Sequence, residues 1–141
     1  MLSNKSQPEL SITVPTYNES KNMEVLVIRI FDSLQKYNIK GELIIVDDNS
    51  PDGTAQIATE LGKKYPVRVY VRTKREGPGP AIMDGIRLAE AQVACVMDAD
   101  LSHPPEALPK MYQYIKEGKA LLVVGSRHVS GGGTSKWIWY R

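Results

Sequence analysis

The sequence predicts an α/β domain built on an open, mainly parallel, Rossmann-like sheet with helices on both faces. Three observations predict it. Short apolar, β-branched runs alternate with longer stretches of helical periodicity over most of the 141 residues. That β-α-β-α order implies parallel strands joined by right-handed crossovers. The polar clusters at residues 15–19, 47–52, 98–102 and 125–127 each stand just after a strand-like run, and ligands of open α/β sheets bind outside the carboxyl ends of the strands.

Residues 1–9 read as a polar, flexible tail, and residues 10–141 as one domain. Residues 10–14 alternate as a first strand. The loop at 15–20 follows, with Ser20 or Asn18 available to cap a helix over 23–37, whose Val27, Ile30, Phe31 and Leu34 recur at helical spacing. Gly41 ends the connection, 42–46 form a second and more apolar strand, and 54–64 a second helix. A third strand covers 67–71. Gly77-Pro78-Gly79-Pro80 reads as a rigid, kinked loop before a helix over 81–91. The run 93–97 is a buried strand, Pro104 and Pro105 suit the first turn of a helix reaching about Lys116, and 120–124 form a fifth strand.

Composition excludes several classes. Apolar and charged fractions of 42% and 24% are those of a globular domain rather than a disordered chain. A net charge of +2 with scattered basic residues argues against nucleic acid as a partner. The single cysteine, Cys95, allows neither a disulfide framework nor a Cys/His metal cluster and reads as an inert core residue. No run approaches the ~20 apolar residues of a membrane span, and the polar N-terminus lacks a signal-peptide core, so the expected compartment is the cytoplasm.

Motif tests narrow the chemistry further. Gly77-Pro78-Gly79-Pro80 has Ile82 where a dinucleotide fingerprint needs its third glycine, and no P-loop is present. Residues 48–53 resemble a calcium loop only until Pro51 interrupts it and Thr59 stands in the place of the bidentate Glu. His103 and His128 come with no nucleophile elbow, and His103 reads as a local cap or loop contact rather than a general base. Asp98 and Asp100 end the fourth strand two residues apart. Strand geometry points both to one side, a hard oxygen pair suited to Mg²⁺ or Mn²⁺ shared with substrate phosphates. Asp47 and Ser50 suit loop amides and Asp52 a helix cap. Asp48 can accept from a base N–H or a ribose hydroxyl, Tyr17 offers an apolar face to a base, and Glu19 is a further acceptor. Arg127 is a cation able to pair with phosphate in a bidentate way.

The stretches 14–19 (Val-Pro-Thr-Tyr-Asn-Glu), 46–54 (Val-Asp-Asp-Asn-Ser-Pro-Asp-Gly-Thr), 97–106 (Met-Asp-Ala-Asp-Leu-Ser-His-Pro-Pro-Glu) and 125–132 (Gly-Ser-Arg-His-Val-Ser-Gly-Gly) resemble, in order, the motifs of the family 2 glycosyltransferases of the GT-A fold. Within that family they are most similar to the dolichyl (polyprenyl) phosphate mannosyltransferases. The resemblance implies that Pro15, Tyr17, Glu19, Val46 and Asp48 hold the nucleoside of a nucleotide-sugar, with mannose from GDP-mannose as the donor. It implies that Asp98 and Asp100 bind Mg²⁺ or Mn²⁺, with the Ala99 backbone near ribose or phosphate. Ser102 falls where some relatives place a Gln as an extra metal ligand. Arg127 would approach the diphosphate or the acceptor phosphate, and Arg141 falls at a second basic position for a polyprenyl or dolichyl phosphate acceptor. The chain is shorter than members of that family, so the acceptor half is expected to be incomplete.

The chemistry so implied is a single inverting displacement at the sugar C1. A phosphate acceptor suits it, because its second pKa of about 6 leaves it a dianion that needs no general base. Trp137, Ile138, Trp139 and Tyr140, flanked by Lys136 and Arg141, suit either peripheral contact at the cytoplasmic face of a membrane or packing as core. A family 2 transferase with a hydroxyl acceptor, and a nucleotide-sugar-binding fragment without turnover, stay open as alternatives. So do UDP-glucose as donor and the oligomeric state.

Overall fold

Four strands and four helices alternate along the chain in a computed structural model that describes residues 7–126 and 128–130. Strand β1 covers Leu10–Thr16, β2 Gly41–Asp47, β3 Val67–Val71 and β4 Val93–Val96. Helix α1 covers Ser20–Lys36, α2 Thr54–Leu61, α3 Pro78–Leu88 and α4 Leu108–Lys116, the last entered through a 3-10 turn at Pro105–Ala107. Every strand pair is parallel and the order is β3-β2-β1-β4. This is the open parallel sheet with helices on both faces that the sequence predicts.

Strand parity assigns the faces. Leu10, Ile12 and Val14 of β1 and Leu43 and Ile45 of β2 pack with Met23, Leu26, Val27, Ile30 and Leu34 of α1, Ala58 of α2 and Leu108 and Tyr112 of α4. On the opposite face Ile44 and Val46 meet Ala81 of α3. Both faces of β1 and β2 are therefore covered, so the 43–46 run of β2 is wholly apolar and even Ser11 and Thr13 of β1 are fully buried. At the amino end of the α3 face the carboxylate of Glu42, 6% exposed, accepts from the Ser11 hydroxyl (2.6 Å), the Glu90 amide (2.8 Å) and Arg68 Nη2 (2.7 Å). A buried carboxylate needs such donors, and these pin the α3–β4 connection under the sheet.

Chain order creates a switch point. The chain steps outward from β1 to β2 to β3, and α3 then returns over the opposite face to place β4 on the far side of β1. The crevice at the carboxyl ends of β1 and β4 is where such sheets take ligands. Helix α3 crosses closely: a Cβ on Gly85 would lie 2.1 Å from Thr13 Cγ2. Gly85→Ala gains up to ~1 kcal/mol of helix propensity but overpacks the contact, which typically costs ~1–3 kcal/mol. A net loss of about 1–2 kcal/mol is expected in the urea midpoint; an unchanged midpoint would mean that α3 lifts away freely.

Several local expectations are corrected. Residues 120–124 form no strand: Leu121, Leu122 and Val124 are 102%, 78% and 74% exposed. A strand's amides and carbonyls need a neighbouring ladder, and among the described residues the only partner of β4 is β1. Gly77-Pro78-Gly79-Pro80 is not a loop throughout, because α3 starts at Pro78. Proline at the first and third helical positions lacks only N–H groups that have no intrahelical partner. Helix α2 stops at Leu61 rather than 64, with Gly62 as its C-cap. Neither Asn18 nor Ser20 caps α1. Glu19 is the cap residue, and the orphan amides of Glu19 and Ser20 donate instead to Thr54 Oγ1 (3.0 Å) and Asp52 Oδ2 (3.0 Å). Glu9, assigned to the tail, is tied down: its amide donates to the Lys40 carbonyl (2.7 Å) and its carboxylate pairs with Lys116 (3.1 Å). Cys95 is half-buried against the core, and desolvation pushes its thiol up to about 11, which keeps it protonated and unreactive at neutral pH. Among the described residues no helix is long and apolar enough to cross a membrane.

Candidate functional site

The β register gathers the carboxyl-end residues on one rim. Thr13 of β1 pairs with Ile44 of β2 and with Val96 of β4, and Val46 pairs with Tyr70 of β3. Counting forward by twos, Pro15 and Tyr17, Val46 and Asp48, Arg72 and Asp98 all keep the parity of the α3 face. The ladder continues past the strand ends, with Asp48 N donating to the Thr16 carbonyl (3.0 Å), Arg72 N to that of Asp47 (2.8 Å) and Met97 N to that of Thr13 (3.1 Å). One step further, Asp98 comes level with Pro15. A cleft of about 110 Å³ opens beside this rim, lined by Pro15, Thr16, Tyr17, Asp48, Arg75 and Gly77 together with Pro78 and Ala81 of α3.

The floor of the cleft is built by short polar bonds between the β1 and β2 loops. Asp47, fully buried, accepts from the Thr16 hydroxyl (2.7 Å), the Ser50 amide (2.8 Å) and the Ser50 hydroxyl (2.6 Å). Ser50 Oγ in turn accepts from the Asn18 amide (2.9 Å), which lets Asn18 hold a left-handed φ of 59°. Desolvation is the largest single effect and raises the Asp52 carboxyl, but the hydroxyl and amide bonds from Thr54 and Ser20 together outweigh it and bring it down to about 2. Asp47 and Ser50 thus serve the loop as expected, and Asp52 reaches the first turn of α2 from one residue before its cap, Gly53.

Asp48 is held from both sides. Its Oδ1 accepts from Arg72 Nη1 (3.0 Å) and its Oδ2 from the Gly77 amide (3.0 Å), leaving it 4% exposed. Arg72, 8% exposed, spreads its guanidinium over three carboxylates, with Nη1 on Asp48, Nη2 on Glu76 and Nε on Asp84 of α3 (3.2 Å). Three residues on, Arg75 lies over the Tyr17 ring, its guanidinium carbon 3.7 Å from the centroid. The ring face expected to receive a base therefore has a cation over it. Sequence reasoning missed both arginines. The signal for Arg72 was present, since it continues the Arg68, Tyr70 alternation of β3 onto the same rim.

Glu19 is half-buried, and its carboxylate accepts from the Asn22 amide group (2.8 Å). The Val46 side chain is fully buried against Ala81, and Val46 is not among the residues that line the cleft. Beyond β4, burial alternates strictly: Met97 and Ala99 are 3% exposed, packed in the core, while Asp98 and Asp100 face solvent. The two carboxylates thus share the outer side of one short segment, as strand spacing predicts. Ser102 hydroxyl and amide bonds to Asp100, the amide at 2.9 Å from Oδ1, hold the Asp100 carboxyl below its ordinary range against a smaller desolvation effect. Ser102, expected as a doubtful metal ligand, is thus engaged with Asp100. Among the described residues no three His, Cys, Asp or Glu side chains form a metal-holding group. Two exposed hard oxygen donors still fit Mg²⁺ or Mn²⁺, which complete their shells with water and substrate phosphate. Arg127, Arg141 and the aromatic cluster at 137–140 lie outside the described residues.

A parallel α/β sheet, a cleft between the β1 and β2 loops and the start of α3, a buried acceptor beside an aromatic ring, and an acidic pair after β4, which does not line that cleft, place the chain among the open-sheet α/β domains. The chain belongs to glycosyl transferase family 2, whose model matches residues 11–141. It is 47% identical over 133 residues to a dolichol-phosphate mannosyltransferase of Pyrococcus furiosus, covering 94% of this chain and 37% of that protein. It is 39% identical over 136 residues to the dolichol-phosphate mannosyltransferase of Saccharomyces cerevisiae, covering 94% of this chain and 50% of the other. The chain therefore spans half or less of the curated relatives it matches. Among solved structures it is similar to mannosyltransferase PcManGT of Pyrobaculum calidifontis in complex with GDP-Man and Mn²⁺. There the TM-score is 0.64 and the identity 25%, over 79% of this chain and 32% of that one. Staphylococcus aureus TarS 1–349 in complex with UDP-GlcNAc is similar at a TM-score of 0.63 and 28% identity, over 77% and 31%. The resemblance carried by the four motifs is borne out at the level of the family and of the mannosyltransferase relatives.

Proposed function

We propose that residues 10–141 are the donor-binding part of a metal-dependent, inverting glycosyltransferase. It moves mannose from GDP-mannose to a polyprenyl or dolichyl phosphate at the cytoplasmic face of a membrane. One observation carries the reading: the parallel register puts Tyr17, Asp48 and Asp98, from three separate loops, at the carboxyl end of the sheet with one face parity, and Tyr17 and Asp48 line the cleft there. The identities to the Pyrococcus and yeast relatives support mannosyl transfer and the lipid phosphate. The GDP-Man and Mn²⁺ complex of the Pyrobaculum neighbour supports the donor and the cation.

Pro15 and the Tyr17 ring, with the Arg75 guanidinium stacked over it, line the side of the cleft offered to the base, and Asp48 accepts from a base N–H or ribose hydroxyl with the lone pairs that Arg72 and Gly77 leave free. Glu19 is a further acceptor, and a part for Val46 rests on the resemblance alone. Asp98 and Asp100 hold the divalent ion, with the Ala99 backbone beside ribose or phosphate. When bound, the ion neutralises charge that develops on the departing nucleoside diphosphate. Arg127 on the diphosphate or acceptor phosphate, and Arg141 on the lipid phosphate, rest on the resemblance. The aromatic cluster at 137–140 suits peripheral membrane contact.

The test is a thermal-shift panel of GDP-mannose, UDP-glucose and UDP-GlcNAc with and without Mn²⁺, followed by transfer assays to polyprenyl phosphate and to saccharides. A ligand that binds only the native state raises its apparent stability. The largest metal-dependent rise is expected with GDP-mannose. A larger rise with a UDP-sugar would reassign the donor, and no rise with any of them would remove the reading. Transfer to saccharides but not to polyprenyl phosphate would replace the acceptor.

A further inference from the structure

The segment that follows β4 contains a histidine that the proposed chemistry does not use. His103 Nδ1 accepts a hydrogen bond from the Asp98 backbone amide at 3.1 Å. Its other ring nitrogen, Nε2, lies 3.6 Å from Oδ2 of the same aspartate. One imidazole thus faces both the main chain and the side chain of Asp98. An Nδ1 that accepts carries no proton, so the ring proton sits on Nε2, the nitrogen 3.6 Å from the Asp98 carboxylate.

This clamp closes a short loop that would otherwise have little to fix it. Leu101 adopts φ of 63°, a left-handed conformation that costs a branched side chain steric energy, and its side chain packs against the core. Ser102 N bonds Asp100 Oδ1, and the chain then doubles back so that His103 meets Asp98. Downstream, Glu106 is gripped by Arg29 of α1 through two bonds of 2.8 and 2.7 Å, which anchors the turn carrying the histidine to the body of the domain. His103 therefore transmits a fixed position to Asp98 from α1.

We propose that His103 is a positioning residue: as the Nε2–H tautomer it sets the Asp98–Asp100 segment in advance so that both carboxylates face one divalent cation. The assignment rests on the reading of Asp98 and Asp100 as metal-binding residues. Groups that orient metal ligands are typically worth 10–100-fold in metal affinity. An asparagine can place its Oδ1 close to where Nδ1 stands, whereas a glutamine carries its acceptor one bond further out.

The experiment measures Mn²⁺ affinity in the presence of GDP by electron paramagnetic resonance for the unsubstituted chain, His103→Ala, His103→Asn and His103→Gln. It adds the ¹⁵N shifts of the His103 ring and the exchange rate of the Asp98 amide in metal-free protein. Expected are a ~10–100-fold loss for Ala and Gln, near-normal affinity for Asn, an Nε2–H ring, and faster Asp98 exchange in the Ala variant. Asn as weak as Ala, or an Nδ1–H ring, would overturn the assignment, and so would unchanged affinity in the Ala variant. Should His103→Ala fail to fold, the Asn-against-Gln comparison and the ring shifts decide the same question. An unsubstituted chain that binds no Mn²⁺ overturns the metal reading itself, which separates that failure from failure of the clamp.

Discussion

In chains carrying Asp98→Asn or Asp100→Asn, Mn²⁺ is expected to lose nearly all of its ability to promote GDP-mannose binding, while the ligand-free protein melts where the unsubstituted one does. Both parts follow from exposure. Asp98 has 56% of its side chain in solvent, and the hydrogen bond that fixes it to His103 comes from its backbone, so replacing a carboxylate by an amide removes little from the fold. A cation held as proposed would, in contrast, lose one of two anionic oxygen ligands. Ligand at 100 times its Kd stabilises the native state by about 2.7 kcal/mol, and a 100-fold weaker site leaves about 0.4 kcal/mol at the same concentration. Transfer activity should fall by a factor of about 10² or more, since stabilisation of the leaving diphosphate by a metal is worth several kcal/mol. Calorimetry of GDP-mannose with and without Mn²⁺ checks the first part and thermal melting the second. Metal-dependent binding that survives in both variants would move the cation elsewhere. A collapse of the ligand-free melting temperature would make the two aspartates structural.

How much of this was legible in the sequence differs between the sheet and its surroundings. Strands β1 to β4 could be read because each is flanked by turn chemistry and carries β-branched residues in a short apolar or alternating run, although β3 and β4 are only half-buried, and their order places the polar clusters at one end of the sheet. Residues 120–124 have the same composition and form no strand. An apolar run states that a segment favours burial, but only a neighbouring ladder turns it into a strand, and no local pattern reports which neighbour is present. The helix caps were misread for a related reason. Ser20 looked like its own cap, yet the orphan amides at the start of α1 are satisfied by Thr54 and Asp52, more than thirty residues away. Asp98 and Asp100 stood out because strand spacing puts them on one side and the other polar clusters also follow strands; taken alone, an Asp-x-Asp pair reads as readily as a strand end and a helix cap. Arg72 and Arg75 were passed over because the β3–α3 loop was judged only by its glycines and prolines. The pairing of β3 with β2 is what brings Arg72 onto Asp48, and that is a long-range fact.

Arg72 carries the largest effect on stability. Its side chain is 7% exposed and that of Asp48 4%, so their ion pair is out of water, and the same guanidinium also reaches Asp84 and Glu76. Burying two charges is not by itself a strong source of stability, because desolvation offsets much of the attraction. Removing one partner is another matter. Arg72→Met would leave Asp48 buried with the Gly77 amide as its remaining donor among the described residues, leave Glu76 without the arginine, and leave Asp84 with only the exposed Arg87 at 3.3 Å. Breaking a buried pair in this way typically costs ~3–5 kcal/mol. A loss of about 3 kcal/mol or more is expected in the urea midpoint, and nucleotide binding should fall with it because Asp48 is no longer held. Arg72→Lys should recover only part of this, since a single ammonium cannot replace three nitrogens directed at three carboxylates. The decisive measurement is a double-mutant cycle with Asp48→Asn. If the cost of Arg72→Met comes from an uncompensated buried charge, neutralising Asp48 should return about 0.5–3 kcal/mol of it, the range found for residues in one network. Additive losses would instead assign the cost to packing of the arginine stem, and Asp48 would then owe its position to the β2 loop alone.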